Sequence, residues 1–200
     1  MLRIHGSARS RALRTLWMVG ELGLEYEHND VAPRAPEVHS PAFLALNPNA
    51  RVPVIEDDGF VLYESMAINF YLAKKHGKLY PTGAHNEALA WQWSFWETDR
   101  LDRPIVTYAN HSAVLPEAQR DAALAKAAWD EIVPALDVLE GALKKSAWLA
   151  GDDFTVADLN VAAALYRGLS LDLGRWPTVT AWLRRCWDRP AAKRARAMRE

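Results

Sequence analysis

Two short stretches, Val52-Pro53 and Glu64-Ser65, combine residue types that can hold a small peptide by its backbone and its charged ends. Val52 opens an apolar run, residues 52–56, with the length of a buried strand. Pro53 stands at the start of that run, where it removes a ladder donor. An X-Pro bond takes the cis form at modest cost, and a cis bond here would turn the Val52 backbone groups outward to pair with an extended peptide. Beyond Glu64-Ser65, the residues Ile68, Tyr71 and Leu72 recur at i, i+3 and i+4, which predicts a helix with a buried face. Ser65 then falls at the N-cap. The free N–H groups and dipole of that helix start favour a carboxylate, and Glu64 could receive an ammonium. The ligand that suits both stretches is a small zwitterionic peptide with an α-amino and an α-carboxyl end.

The elements that must position these residues can be read from the spacing around them. Residues 2–5 form a short strand candidate, and residues 26–31 form a second. Between them, residues 9–22 read as a helix in which Leu13, Leu16 and Trp17 share a face, with Gly23 as its stop. Pro33, Pro36 and Pro41 break up a loop, and Phe43 and Leu44 suit a short helical turn before Asn47-Pro48. Strand 52–56 meets its return strand, 60–63, across Asp57-Asp58-Gly59, where the glycine is free to take φ > 0. The order is β-α-β-α-β-β-α. The last strand pair is an antiparallel hairpin, and right-handed crossovers are expected to join the first three strands.

Residues 79–86 contain Pro81 and Gly83, show no periodicity and read as a linker. Everything after it is helical in pattern. Asn86 or a neighbour caps a long helix carrying Trp91 and Phe95, with a kink or boundary at Pro104. Pro116-Glu117 opens the next helix, whose apolar stripe is Trp129, Ile132, Val133, Leu136 and Leu143, with Pro134 inside it. Thr155 and Asp158 stand three apart as in a capping box, flanked by Phe154 and Leu159 as a hydrophobic staple. A last helical pair begins at Trp176-Pro177, with Trp182, Leu183 and Trp187 in the core. From Arg184 onward the tail holds seven basic and two acidic residues, read as a solvated helix face.

The runs N-P-x-x-x-V-P-x-I and L-x-E-S-x-A-I-x-x-Y-L, residues 47–55 and 62–72, resemble the glutathione-binding signature of the soluble glutathione transferases. The G-x-x-F-T-x-A-D segment, residues 151–158, also resembles the helix-start element of that family's C-terminal domain, where its role is folding. The resemblance implies an α/β N-terminal thioredoxin-like domain, residues 1–80, that binds glutathione. An all-α helical-bundle C-terminal domain, residues 87–200, would line the electrophile site. It implies glutathione as co-substrate and Val52, Pro53, Glu64 and Ser65 as its contacts. Arg51, where the family often has lysine or glutamine, would lie near the glycine carboxylate, which arginine can hold bidentately. His39 matches a weaker position with a basic residue; its plain alternative is a surface histidine. The family usually has a glycine where this chain has Ala50.

In the serine- and cysteine-type members, the residue acting on the thiol lies four before a helical basic or polar residue. Counting back from Arg14 lands on Ser10. The loop holds no tyrosine and no cysteine, which argues against tyrosine-type activation and against disulfide chemistry. A free thiol titrates at about 8.5, so only a few per cent is thiolate at neutral pH. A hydroxyl donating to the sulfur, with the positive end of a helix behind it, favours the thiolate. Ser10 would then be a hydrogen-bond donor, not a covalent nucleophile. Ser7 in the same loop is the competing donor, and an ordinary helix cap is the structural alternative.

The second substrate, a small hydrophobic electrophile, is expected between the domains, against Trp91, Trp93, Phe95, Trp96, Tyr108 and His111. Three tryptophans in six residues cannot all face one way on a helix. Asp99 and Glu97 could reach a glutathione amine across the interface of a homodimer, as an acid does in related dimers. Charge supports neither nucleic acid nor an acidic membrane as a partner: 24 basic and 25 acidic residues leave a net charge of −1. No apolar run approaches the roughly 20 residues that span a bilayer. No internal disulfide can form with Cys186 as the single cysteine, and a cytoplasmic location is expected. No metal site is expected. Two other functions fit the same signature: a glutathione-dependent isomerase, dehalogenase or peroxidase, and a non-catalytic protein-interaction member of the fold.

Overall fold

The computed structural model describes residues 1–166 and 173–200. Its contacts divide the chain into two compact units, Met1–Tyr80 with Asp188–Glu200, and Pro81–Trp187.

The first unit is built on a four-stranded sheet of β1 (Leu2–His5), β2 (Tyr26–Asn29), β3 (Val54–Asp57) and β4 (Phe60–Tyr63), in the order β2-β1-β3-β4. β1 and β2 run parallel, with Leu2 beside Tyr26. β3 runs antiparallel to β1, with His5 beside Val54, and β4 returns antiparallel to β3. Only one of the two expected right-handed crossovers therefore has the parallel strands that the handedness rule requires. The connection from β2 to β3 reverses direction instead. The hairpin turn falls where the sequence places it, with Asp58 and Gly59 both at positive φ, 50° and 89°, the two-residue turn that matches strand twist.

Helices α1 (Ala12–Leu22) and α3 (Ser65–His76) pack together. Leu13, Leu16, Trp17, Ile68 and Leu72 are buried, as are Ile4 and Ile55 of the sheet. Each such side chain contributes roughly 1.5–3 kcal/mol by leaving water. The short α2 (Pro41–Leu46) is capped by Ser40, whose Oγ accepts from Phe43 N at 3.2 Å. Its Phe43 closes a smaller cluster with Val31, Val38 and Val54. At the end of β3, Asp57 accepts from Tyr71 Oη at 2.8 Å and pairs with Lys75. Burial works against the Asp57 charge, but the Lys75 and Tyr71 bonds and the Lys75 charge outweigh it and hold the carboxyl below its usual range.

The chain's last helix, α9 (Pro190–Arg199), packs on α1 and so belongs with this unit, although the sequence reading put residues 87–200 together.

The second unit is helical: α4 (Ala84–Arg100), α5 (Asp102–Ala109), α6 (Ala122–Leu143), α7 (Val156–Ala164) and α8 (Pro177–Trp187). Gly83, not Asn86, precedes α4 as its cap residue. Pro104 marks a boundary, as it falls in the first turn of α5 just past the break at Leu101. Pro116-Glu117 opens only a single 3₁₀ turn, Glu117–Gln119. The long helix waits for Asp121, whose carboxylate accepts from Ala123 N and Leu124 N. Pro134 lies inside α6 without ending it. The capping box at Thr155 and Asp158 forms as expected. Asp158, fully buried, also accepts from Leu149 N at 3.0 Å and Trp182 Nε1 at 2.9 Å. Glu140 of α6 caps α8, accepting from Val179 N at 2.9 Å and Thr178 Oγ1 at 2.8 Å. Among the described residues, no helix is long and apolar enough to cross a membrane.

Candidate functional site

The loop between β1 and α1 is a tight turn. Ser10 N donates to Ser7 O at 2.9 Å, and Ser10 Oγ donates to the same carbonyl at 2.6 Å. Ser10 Oγ also accepts from Ala12 N at 3.0 Å, so it caps one of the orphan donors of α1. Its oxygen thus sits at the positive end of α1, whose first turn carries no acidic residue. Ser7 Oγ accepts from Arg9 N at 3.3 Å and donates to no other described residue. Both hydroxyls are half-buried.

Gly6 brings this loop against the second site element. At φ +138° it has a backbone that a side chain rarely adopts, and a Cβ added there would lie 2.9 Å from Ala12 Cβ and 3.0 Å from Val52 Cβ. The Val52-Pro53 peptide is cis. Val52 lies just outside the strand ladder, whose first pair here is His5 with Val54. The turn before it is held by Asn47, a buried residue the sequence reading did not single out as a contact. Asn47 Nδ2 donates to Arg51 O at 2.8 Å, and its Oδ1 accepts from Asn49 N at 3.0 Å. The signal was present in the Asn47-Pro48 pair, since asparagine side chains organise turns this way. Ala50 takes φ 52° within that turn, which explains why glycine is usual at this point of the signature. Arg51 is exposed.

The third element is the start of α3. The cap position belongs to Glu64 and Ser65 is the first helical residue, so the helix begins one residue earlier than a Ser65 cap would have it. Glu64 is exposed and takes φ 72°, a left-handed conformation costly for a residue with a Cβ. Such a conformation places Glu64 at the start of α3, the positive end of that helix. Ser65 is buried, and its Oγ accepts from Arg14 Nη1 at 3.3 Å. Asn69 Nδ2 donates to Arg14 O at 3.4 Å. Arg14, used in the sequence only as a counting mark, therefore ties α1 to the helix that carries Glu64 and Ser65.

Ser10, Val52, Pro53, Glu64 and Ser65 are thus joined through Gly6 and Arg14. His39 ends a 3₁₀ turn, Pro36–His39, and is exposed. No hydrogen bond or ion pair links it to the other site residues among those described.

In the helical unit, the three tryptophans of α4 do face different ways. Trp91 is 46% exposed, Trp93 is buried and Trp96 is half-buried against the Trp93 ring. Phe95 is 70% exposed. Tyr108 packs on Trp129, with ring centroids 5.0 Å apart, and His111 Nδ1 accepts from Asp121 N. Asp99 is exposed beside Arg100, whereas Glu97 is fully buried, which removes it as a residue reaching out to a partner.

The element order, sheet topology and cis-proline turn define the first unit as thioredoxin-like, followed by an all-helical unit. Residues 5–74 match the family model described as the glutathione S-transferase N-terminal domain, and residues 100–190 match that of its C-terminal domain. The chain belongs to the glutathione S-transferase family. It is 30% identical over 188 residues to glutathione S-transferase GstB of Escherichia coli (strain K12), covering 90% of each chain. It is 32% identical over 172 residues to glutathione S-transferase D7 of Anopheles gambiae, covering 84% of this chain and 77% of that one. Its fold is similar to the theta class glutathione S-transferase of Xanthomonas axonopodis pv. citri, solved with glutathione bound, with TM-score 0.90, 31% identity and coverage of 97% and 96%.

Proposed function

We propose that this glutathione transferase binds reduced glutathione in extended form along Val52 and holds its sulfur as thiolate beside Ser10 for attack on a small hydrophobic electrophile. The observation that carries the reading is the junction at Gly6. There the loop bearing Ser10, the start of α1 and the Val52-Pro53 turn come within contact of one another. The glutathione backbone pairs with Val52, its α-carboxylate takes the N–H groups at the start of α3 beside Ser65, and Glu64 takes its ammonium. Arg51 and, more loosely, His39 meet the glycine carboxylate at the other end.

At the sulfur, Ser10 turns its hydroxyl proton from Ser7 O to the thiolate, while the Ala12 N–H still holds its oxygen. A hydrogen bond to a charged acceptor contributes about 1.5–3 kcal/mol, and one pKa unit corresponds to about 1.4 kcal/mol. One serine with the α1 dipole behind it is therefore enough to bring a thiol from about 8.5 into the neutral range. The competing reading makes Ser7 the donor. It is favoured by one observation: the Ser7 proton is not engaged with a described residue, whereas the Ser10 proton is.

Thiolate absorbance in the protein–glutathione complex, followed as pH rises, separates the two. Ser10→Ala is expected to shift ionisation upward by about one unit or more, with Ser7→Ala near wild type. The reverse pattern transfers the role to Ser7.

The helical unit would supply the electrophile contacts, with the aromatic residues of α4 and α5 suited to a flat apolar molecule. Trp91 and Phe95, exposed and four residues apart on α4, support a homodimer, because large exposed aromatic surface calls for a cover. A cytoplasmic location is part of the same reading.

A further inference from the structure

The chain's end returns to its beginning. After the helical unit, α9 lies along α1 in the opposite sense, and it is fastened at both ends. At its start, Arg189 donates two bonds of 2.8 Å to the carboxylate of Glu21, in the last turn of α1. Beside that pair the contact is between small residues: a Cβ added at Gly20 would lie 3.2 Å from Ala191 Cβ, and Ala191, Ala192 and Ala195 are all buried. At its end, Arg199 Nη1 donates to Ala8 O at 2.9 Å, and Arg9 Nε donates back to Arg199 O at 3.3 Å.

Ala8 and Arg9 are the two central residues of the turn closed by Ser10 N and Ser10 Oγ on Ser7 O. The turn is anchored at its two ends, by Ser7 N on Val31 O at 2.8 Å and by Leu13 N on Ser10 O at 3.2 Å, while Ala8 lies between them. The Ala8 side chain is buried, and the Ala8 carbonyl is the group that Arg199 holds. Fixing that peptide fixes where the Ser10 hydroxyl points.

We propose that Arg199 is a positioning residue for thiol activation, and that α9 is a splint whose function is to hold the Ser7–Ser10 turn in its productive shape. Arg199 acts through Ala8 and does not touch the ligand. The proposal rests on the reading that this turn activates the sulfur of glutathione. It explains why the last thirteen residues, Asp188–Glu200, leave the helical unit to join the first one.

The test uses the full chain and reduced glutathione, with two readouts. Calorimetry gives the affinity, and ultraviolet absorbance of the thiolate in the complex gives its apparent pKa. Arg199→Ala is expected to bind glutathione within about threefold of wild type and to ionise the bound thiol about one unit higher, a tenfold loss of thiolate below the midpoint. Arg199→Lys, which keeps one donor and the charge, is expected to recover part of that shift. Arg194→Ala is the control, since Arg194 also joins α9 to α1, through Gly20 O at 3.4 Å. It is expected to lower the melting temperature slightly and leave the thiol unchanged. An Arg199→Ala complex with the wild-type thiol pKa overturns the proposal, as does an Arg194→Ala complex shifted by the same amount. No glutathione binding by the wild type overturns the underlying reading instead, and the calorimetric arm distinguishes that outcome.

Discussion

Arg14 Nη1 donates to Ser65 Oγ at 3.3 Å, and both residues are buried. The bond joins the helix that begins beside Ser10 to the helix that begins at Glu64-Ser65. A ligand reaching from one helix start to the other therefore meets two positive ends held at a set separation. Free glutathione carries a thiol at one side chain and an α-amino acid at one end, so it needs both sites at once. The tie between Arg14 and Ser65 makes that requirement a property of the folded unit.

Glu64 holds its left-handed conformation at the expense of stability. Its φ of 72° is unfavourable for any residue with a Cβ. Glu64→Ala is expected to weaken glutathione binding by roughly 10- to 100-fold, the loss of one charged hydrogen bond, with the melting temperature close to wild type. Glu64→Gly is expected to weaken binding equally but to raise the melting temperature, because glycine accepts the left-handed backbone. Calorimetry and thermal melts check both variants. A fall in melting temperature with affinity intact would make Glu64 a purely structural residue.

Ala50 offers a second left-handed position, with its methyl group packed against the cluster of Val31, Val38, Phe43 and Val54. At φ 52° it carries the same penalty. Ala50→Gly is expected to stabilise the protein by about 1 kcal/mol in urea unfolding without altering glutathione affinity. A destabilised variant would mean that the Ala50 side chain packs in a way that outweighs its backbone.

Asp158 is the acceptor on which three parts of the helical unit converge: Leu149 N, Thr155 N and Trp182 Nε1. Burial pushes its carboxyl up, against those hydrogen bonds. Removing the carboxyl leaves three buried donors without their acceptor, each costing about 1–3 kcal/mol. Asp158→Ala is expected to lower unfolding free energy by about 3 kcal/mol or more and to reduce soluble yield. Residual variant should keep its glutathione affinity, since the site lies in the other unit.

The Asp57 cluster gives the acid limb of stability. Its folded carboxyl titrates below the ordinary value of about 3.9. Stability from that shift is present above the unfolded value and is lost as pH falls through the folded one. Lys75→Met removes the strongest partner, so the variant should lose less stability than wild type between about pH 5 and about pH 3. Urea midpoints across that range provide the measurement. Parallel pH dependence in the two proteins would place the acid sensitivity elsewhere.

Features written in one local stretch were legible in the sequence. The Asp58-Gly59 turn, the Gly23 stop and the Thr155–Asp158 capping box each rest on residues within a few positions of one another. What escaped was set by partners far along the chain. β3 reverses against β1 because the sheet pairs Leu2 with Asp57, and no residue near β3 announces its direction. Ser65 looked like a cap because serine suits that role. The structure uses its hydroxyl to receive Arg14, 51 residues away, and moves the cap to Glu64. The basic tail read as a solvated face, yet Arg189 and Arg199 reach Glu21 and Ala8, 168 and 191 residues away. Periodicity shows which side of a helix is apolar, but not which partner its long charged side chains will find.

Glutathione is expected to bind this chain through the Val52 turn and the start of α3. Calorimetric titration with reduced glutathione, on the wild type and on Glu64→Ala, tests it most directly. Saturable binding to the wild type, weakened in the variant, is the predicted result. No heat from the wild type up to several millimolar would contradict it and leave the fold serving some purpose other than glutathione chemistry.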